Sequence, residues 1–296
     1  MKKTFIILAI ACVAMLMSSC KKEGAYNPSR KITKVYVQED IAGDLSDPLN
    51  RSNLTVYTPK YLSESWTWKG NTLEKIDKYS QTGNIESTLT FTYDNKKRIS
   101  RIDNASANDV NIYTEFTYEG KELSESKYYI NNTLATTYKF THENGKISKV
   151  EFTSTTSDID KAMRFILPSS ICQFIEQAQK EYNALKGAKG ETSATVVFTW
   201  NKDNISNAVF TSGNWQTTNN IEYDNFKNPY YGMFESEFTW TNLCKNNPNI
   251  TRMSSSSGGT STILYQYNYD THNYPEKVYS NTYGSMFVTE TEYEYK

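Results

Sequence analysis

The stretch LTFTYDNKKRISRI, Leu89 to Ile102, carries a pattern that the chain repeats. EFTYEGKELSES follows at Glu115, KFTHENGKISKV at Lys139 and VFTWNKDNISNA at Val197. Leu89, Phe91 and Tyr93 fall on one side of an extended chain, and Thr88, Thr90 and Thr92 on the other. Val196, Phe198 and Trp200 repeat this alternation, as do Ile263, Tyr265, Tyr267 and Tyr269. One face is aromatic and the other is Thr, Glu, Lys or Gln, the signature of antiparallel strands with one buried and one wet face.

Each copy is anchored on an aromatic-x-aromatic pair. The pairs are Trp66/Trp68, Phe91/Tyr93, Phe116/Tyr118, Phe140/His142, Phe198/Trp200, Phe238/Trp240, Tyr267/Tyr269 and Tyr293/Tyr295, with Ile221/Tyr223 a degenerate member. Trp68, Tyr93, Tyr118 and His142 are 25, 25 and 24 residues apart, a period that marks one supersecondary unit used repeatedly. Turn residues follow each anchor (DNKK, EGKE, ENGK), and then a second strand such as RISRI or KISKV. Ile147 and Val150 in that second strand are three apart, so either a bulge intervenes or Ile147 packs at the turn. The units predict a mainly β protein: a large antiparallel sheet of repeated hairpins, about 14–18 strands, curled into a barrel or half-barrel. An elongated hairpin solenoid is the competing architecture. One segment breaks the pattern. Between residues 158 and 187, Asp158, the Ser170/Gln173 capping box and the stripe Ile171, Phe174, Ile175, Ala178, Tyr182, Leu185 predict a short helical insertion packing on the sheet.

The N-terminus sets the compartment. Lys2 and Lys3 precede 14 residues, TFIILAIACVAMLM, that end in MSSC. The run is too short to span a bilayer and suits a signal peptide. Ser18 and Ser19 before Cys20 fit lipoprotein processing, so residues 1–19 are read as signal peptide, Cys20 as the lipidated mature N-terminus and residues 20–30 as anchor and flexible tether. Residues 31–296 form a single β domain. The expected location is the outer membrane, facing the periplasm or the surface, with the membrane as partner through the lipid. Removing Lys2 and Lys3 leaves 30 basic against 33 acidic side chains, which gives no footprint for nucleic acid. Cys172 and Cys244 could form one disulfide, but read better as two unpaired residues.

The units resemble YD repeats, with Tyr93-Asp94, Tyr223-Asp224 and Tyr269-Asp270 as the Tyr-Asp pairs and Glu119, Glu143 and Asn201 replacing the Asp elsewhere. Together with SSCKKE at the lipoprotein start, YDNFKNPYYG at Tyr223 and YNYDTHNYPEKV at Tyr267, the chain looks like a Bacteroidetes lipoprotein family of unknown function with a porin-like fold. The resemblance implies a large antiparallel sheet curled into a barrel, and brings no catalytic residues.

No catalytic constellation stands out from the residues themselves. His142 occupies an anchor position and His272 a turn, and neither has a second histidine at metal spacing, so no metal and no cofactor is expected. Ser124-Glu-Ser-Lys127 matches Ser-x-x-Lys in a strand where both residues are common. Function reads as non-enzymatic binding or scaffolding in the envelope, toward a glycan or an envelope protein. Aromatics outside the repeat phase are the candidate contacts: Trp215 above all, then Tyr230 and Tyr231, with Tyr128 and Tyr129. The alternative is a glycan-processing hydrolase using dispersed carboxylates. A membrane-spanning pore fits less well, because many wet strand positions are charged.

Overall fold

The computed structural model describes residues 23–106, 110–154, 192–234 and 240–296. The expected helical insertion near 158–187, with Cys172, lies outside the described residues, as do Cys20 and most of the Phe238/Trp240 pair. Seventeen strands form one sheet: β1 (Ile32–Ala42), β2 (Leu54–Val56), β3 (Tyr61–Lys69), β4 (Thr72–Tyr79), β5 (Ile85–Tyr93), β6 (Ile99–Ser106), β7 (Asn111–Glu119), β8 (Glu122–Ile130), β9 (Thr133–Glu143), β10 (Lys146–Ser154), β11 (Thr192–Asn201), β12 (Asn204–Ser212), β13 (Trp215–Tyr223), β14 (Pro248–Ser255), β15 (Thr260–Tyr269), β16 (Pro275–Thr282) and β17 (Phe287–Tyr295). From β3 to β17 each strand pairs antiparallel with its neighbours in sequence, and β1 closes the ring by pairing with β17 on one side and β3 on the other. The short β2 extends the β3 side of β1 at Asp40–Ala42. The result is a closed barrel of 16 antiparallel strands, not a half-barrel or a solenoid.

Odd-numbered strands from β3 onward end at one rim, here the turn rim, where the aromatic pairs and short turns gather. A bulge sits beside every junction there. Tyr93 faces Ile99 but Thr92 faces Arg101, so Ser100 is the extra residue. The same offset recurs at all eight junctions of the turn rim, including β17 with β1, where Thr33 is extra. A bulge places residues three apart on the same face. It resolves the spacing of Ile147 and Val150 in favour of a bulge at Ser148, and it turns Ile32 and Val35 inward together. Where the extra residue is serine, its hydroxyl donates back across the junction: Ser100 to the Thr92 carbonyl at 3.3 Å, Ser124 to Thr117 at 3.1 Å, Ser148 to Thr141 and Ser206 to Thr199 at 3.2 Å.

Between neighbouring hairpins the ladder stops short of the bulge. The β6–β7 pairing ends at Arg101 opposite Glu115, leaving the Ile99 carbonyl without a backbone partner from β7. The Tyr118 hydroxyl fills that role at 2.7 Å. Trp68 does the same for Ile32 (2.7 Å), Tyr93 for Leu73 (2.7 Å), Trp200 for Ile147 (2.8 Å), Tyr223 for Ile205 (2.7 Å) and Tyr295 for Pro275 (2.8 Å). Tyr267, two residues before its anchor position, serves Pro248 at 2.7 Å. Trp68, Tyr93, Tyr118, Trp200, Tyr223 and Tyr295, the second members of their pairs, therefore need a polar tip, whereas Phe91, Phe116 and Phe198 at the first position need none and are buried. Burial pushes the hydroxyls of Tyr93, Tyr118, Tyr223 and Tyr295 well above the usual tyrosine range, which keeps them protonated donors.

The aspartate of the Tyr-Asp pairs is a turn residue. Asp94 accepts from the backbone N–H of Lys96 and Arg98, and Asp270 from those of His272 and Tyr274. Glu119, Glu143 and Asn201 head two-residue turns, which have no such loop N–H groups to satisfy. Asn144-Gly145 is one of these, with φ of 54° and 72°, the left-handed pair that a tight hairpin turn requires.

The buried face looks inward and the wet face outward. Val35, Ile76, Ile102, Leu123, Val150, Phe210, Met253 and Ile263, from strands all around the ring, belong to one core cluster. Outward side chains carry ion pairs along the wall: Lys75–Asp77 at 2.7 Å, Arg101–Asp103 at 2.6 Å, Lys127–Glu125 at 2.6 Å, Lys149–Glu151 at 3.1 Å and Lys277–Glu290 at 2.7 Å. A lipid-embedded barrel needs an outward apolar band about 25 Å tall and a polar interior; this wall has the opposite polarity. No helix among the described residues is long and apolar enough to cross a membrane.

The tip bonds can be tested singly. Tyr118→Phe should lower unfolding free energy by about 1–3 kcal/mol, the cost of leaving a buried acceptor unmet. Thr117→Ala on the exposed face should change it by less than about 0.5 kcal/mol. Urea titrations of the two variants make the comparison; equal effects would remove the tip bond from the account.

Candidate functional site

The turn rim is closed by two segments. The first is Glu23–Lys31. Although its polar composition reads as a flexible tether, the described part is docked. Tyr26 is 3% exposed, its ring lies 5.7 Å from that of Trp68, and its hydroxyl donates to the Pro229 carbonyl at 2.6 Å. The bulged junctions supply the reason, because each leaves an inward N–H to satisfy. Ile99 N donates to the Gly24 carbonyl at 2.9 Å, and Leu123 N to the Glu23 carboxylate at 2.7 Å. Gly24 has φ of 73°, and a Cβ there would collide with the Tyr118 hydroxyl. Arg30 pairs with Asp270 at 2.5 Å.

The second segment is the β13–β14 connection, a repeat turn with an insertion. Asp224 N donates to the Asn247 carbonyl at 3.0 Å, and the Asp224 carboxylate accepts from Phe226 N and Asn247 N, as Asp94 does within its own five-residue turn. The inserted residues enter the mouth. Phe234 is buried and stacks on Phe116 at 5.9 Å, and Tyr230 packs against Trp66 and Tyr293. Trp240 begins a 3-10 helix, Trp240–Leu243, and so does not itself end a strand as Tyr93 and Tyr269 do. Beyond it, the Cys244 thiol is buried and accepts from Ile205 N at 3.4 Å; burial pushes it up to about 11.

Between the two segments lies a cavity of about 270 Å³, lined by Trp200, Tyr231, Phe234 and Leu243, with Lys146 and Asp203 among its polar residues. Lys146 sits 5.1 Å from the Trp200 ring and 3.5 Å from Asp203. Glu23, also in the lining, is held by His142 Nε2 at 3.0 Å. Burial disfavours charge on His142, but the Glu23 hydrogen bond and charge, with Glu122 beyond, outweigh it and hold the ring above its ordinary value. His142 is thus the anchor whose tip serves the docked segment in place of a bulge carbonyl. No group of three or more His, Cys, Asp or Glu side chains among the described residues is placed to hold a metal ion.

The opposite rim, here the loop rim, has a different character. Of nine exposed large apolar residues among those described, seven lie there: Leu45, Val56, Tyr57, Ile85, Tyr283, Met286 and Phe287. Val56 is 64% exposed, Tyr283 61% and Phe287 42%. Most gather at the seam of β1 and β17, where the Tyr57 and Phe287 rings meet edge-on at 5.1 Å. Their backbone is pinned. Tyr57 N and Thr58 N donate to the Glu39 carbonyl at 2.9 Å, and Ala42 N to the Met286 carbonyl at 2.8 Å. Beneath, Leu49 and Leu54 cover Ala42, Tyr279 and Val288 on the outer wall. Ordered backbone that holds apolar side chains toward solvent is a mark of an interaction surface.

The candidate contacts read from sequence are separated by this architecture. Trp215 opens β13 near the loop rim, half-buried, with Phe210 edge-on at 5.3 Å and its Nε1 donating to Ser255 Oγ at 3.0 Å. Tyr230 and Tyr231 lie at the turn rim, the first in the aromatic packing and the second in the cavity lining. Tyr128 faces the core, and Tyr129 stacks on Tyr113 at 4.6 Å on the outer wall. Sequence reading missed Tyr57, Tyr283, Met286 and Phe287, which are scattered along the chain and meet only when the ring closes.

No protein-family model matches the chain, and no curated protein matches it. Solved structures do. A porin-like protein from Bacteroides uniformis aligns over 91% of this chain and 99% of its own, with 10% identity and a TM-score of 0.50. A porin-like protein from Bacteroides vulgatus aligns over 90% and 99%, with 12% identity and a TM-score of 0.46. The likeness to the first is one of fold: a large barrel.

The Glu23–His142 contact predicts a pH dependence. A histidine raised in the folded state gives stability that is complete below its unfolded value, near 6.5, and is lost as pH rises through the raised folded value. Melting temperature should therefore fall across that window in the wild type. His142→Tyr should flatten the fall. A wild-type profile without it would contradict the ion pair.

Proposed function

We propose that the protein is an envelope lipoprotein, anchored by acyl chains on Cys20, that acts by binding and not by catalysis. The observation that carries this reading is the exposed apolar patch at the loop rim, held on ordered backbone at the opposite end from the docked N-terminal segment. Such a patch fits an envelope protein or the flat face of a glycan. The wall supports an anchored role over a spanning one, because its outward side chains are charged. The turn-rim cavity is a second, smaller place for a ligand, with Trp200 and Tyr231 as its aromatic surfaces. Its carboxylates are engaged, Glu23 by His142 and Asp203 by Lys146 and Lys245, which favours binding over the hydrolase alternative.

Two experiments test the two halves. Radiolabelled palmitate should enter the wild type and not Cys20→Ala; equal labelling removes the anchor. A photo-crosslinking residue at Tyr283 should trap one discrete adduct in the envelope, whereas the same residue at Thr90 on the wall should trap none. If neither position gives an adduct and a glycan array with residues 21–296 is blank, the binding reading is wrong.

A further inference from the structure

We propose that the turn rim is a membrane-contact surface whose lysines meet the headgroups of anionic lipids. Separate turns deliver Lys69, Lys96, Lys97, Lys121, Lys202, Lys227, Lys245 and Lys296 to this one rim, all of them exposed. The exposed acids on the turns are fewer, Glu119, Glu122, Glu143, Asp203 and the bulge residue Glu276, with Glu222 and Glu294 one residue inside the strand ends. Lys69 and Lys245 spend part of their charge on Glu74 at 3.8 Å and Asp203 at 3.5 Å. Lys96, Lys97, Lys121 and Lys202 make no ion pair among the described residues. The loop rim offers no counterpart, since its exposed charges are Arg51 against Asp44, Asp47 and Glu86. The excess of lysine lies in the turns themselves, which project furthest from the wall. Lysines of this kind, presented together at a surface, are attracted to anionic headgroups and screened by salt.

The path of the chain points the same way. Glu23 is already seated in this rim, and three residues reach at most about 10 Å. Acyl chains on Cys20, the reading on which this orientation rests, would hold the lysine turns at the headgroup layer. The apolar patch of the opposite rim would then face away from the bilayer.

The test is amine-reactive footprinting of the full mature protein, reconstituted on vesicles of phosphatidylcholine alone or mixed with phosphatidylglycerol. Labelling of Lys96, Lys97, Lys121 and Lys202 should fall severalfold on the mixed vesicles and recover at high salt. Lys60, Lys127 and Lys149 on the wall should label equally on both. Charge reversal in an exposed turn, Lys96→Glu with Lys121→Glu, should reduce the protection remaining at Lys202. Equal labelling of the rim lysines on the two vesicle types, or protection centred on the wall lysines, would overturn the proposal. The mass of the N-terminal peptide in the same digest reports lipidation separately. A lipidated N-terminus with unprotected rim lysines overturns the surface and leaves the anchor. A lipid-free N-terminus with protected lysines overturns the anchor and leaves the surface.

Discussion

A bulge beside each turn leaves a carbonyl that no neighbouring strand can reach, and the barrel is organised around meeting it. The bulge is forced by the core: Ile99 and Ile102, or Ile147 and Val150, are both needed inside, and three residues of regular strand cannot put them there. Once the bulge exists, the inter-hairpin ladder ends early, and the next hairpin must supply a side-chain donor at a fixed height above the turn. Tyrosine and tryptophan do so while filling the core with their rings. The inward N–H groups at the same level need acceptors, and the two segments crossing the mouth supply them through Glu23, Gly24 and Cys244. Repeat, bulge, aromatic tip and mouth plug are one hydrogen-bond problem solved at successive radii.

That solution fixes which way the barrel faces chemically. Aromatic tips that bond to inward carbonyls must themselves be inside, so the alternate residues, Thr, Lys and Glu, are outside. A ring of this strand number can enclose an aqueous channel when its interior is polar. Here the interior near the turn rim is aromatic and the mouth is occupied. The likeness to the porin-like barrel from Bacteroides uniformis is one of fold, and the wall of this barrel carries charged side chains outward. The two rims differ: one bears lysine turns and the docked N-terminal segment, the other an apolar patch.

Much of the fold was legible because the repeat is a local phenomenon. Alternation in Leu89–Tyr93 gave strands, the period gave hairpins, and Tyr-Asp gave turns whose Asp serves loop N–H groups. Even the choice between Asp94 and Glu119 tracks turn length. The site was less legible for the opposite reason. Glu23–Lys31 looks like a linker because its contacts are backbone groups and one aromatic, Tyr26, and composition does not register backbone acceptors. Trp240 stands in the anchor motif by sequence yet begins a 3-10 helix, so the motif alone did not make a strand end there. Trp215 stood out because it is isolated in sequence, whereas Tyr57 and Phe287 meet across β1 and β17, a pairing set by closure and invisible to any local window.

Closure itself follows from the unit. β17 and β1 meet as a repeat hairpin whose turn is missing: Tyr295 is the anchor, Ile32 the inward aliphatic, Thr33 the extra residue, and Lys31 and Lys296 exchange both backbone hydrogen bonds at 3.2 and 2.9 Å. Trp68 then takes the Ile32 carbonyl as Tyr93 takes that of Leu73. The first strand is thus the second half of the last unit, and an open sheet would leave Tyr295 and Ile32 unmatched on opposite edges. Because an antiparallel ring closes only on an even number of strands, whole hairpins are the natural increment. The seam of this last hairpin falls at the turn rim, which is why the segment preceding Ile32 is already at the mouth and can plug it.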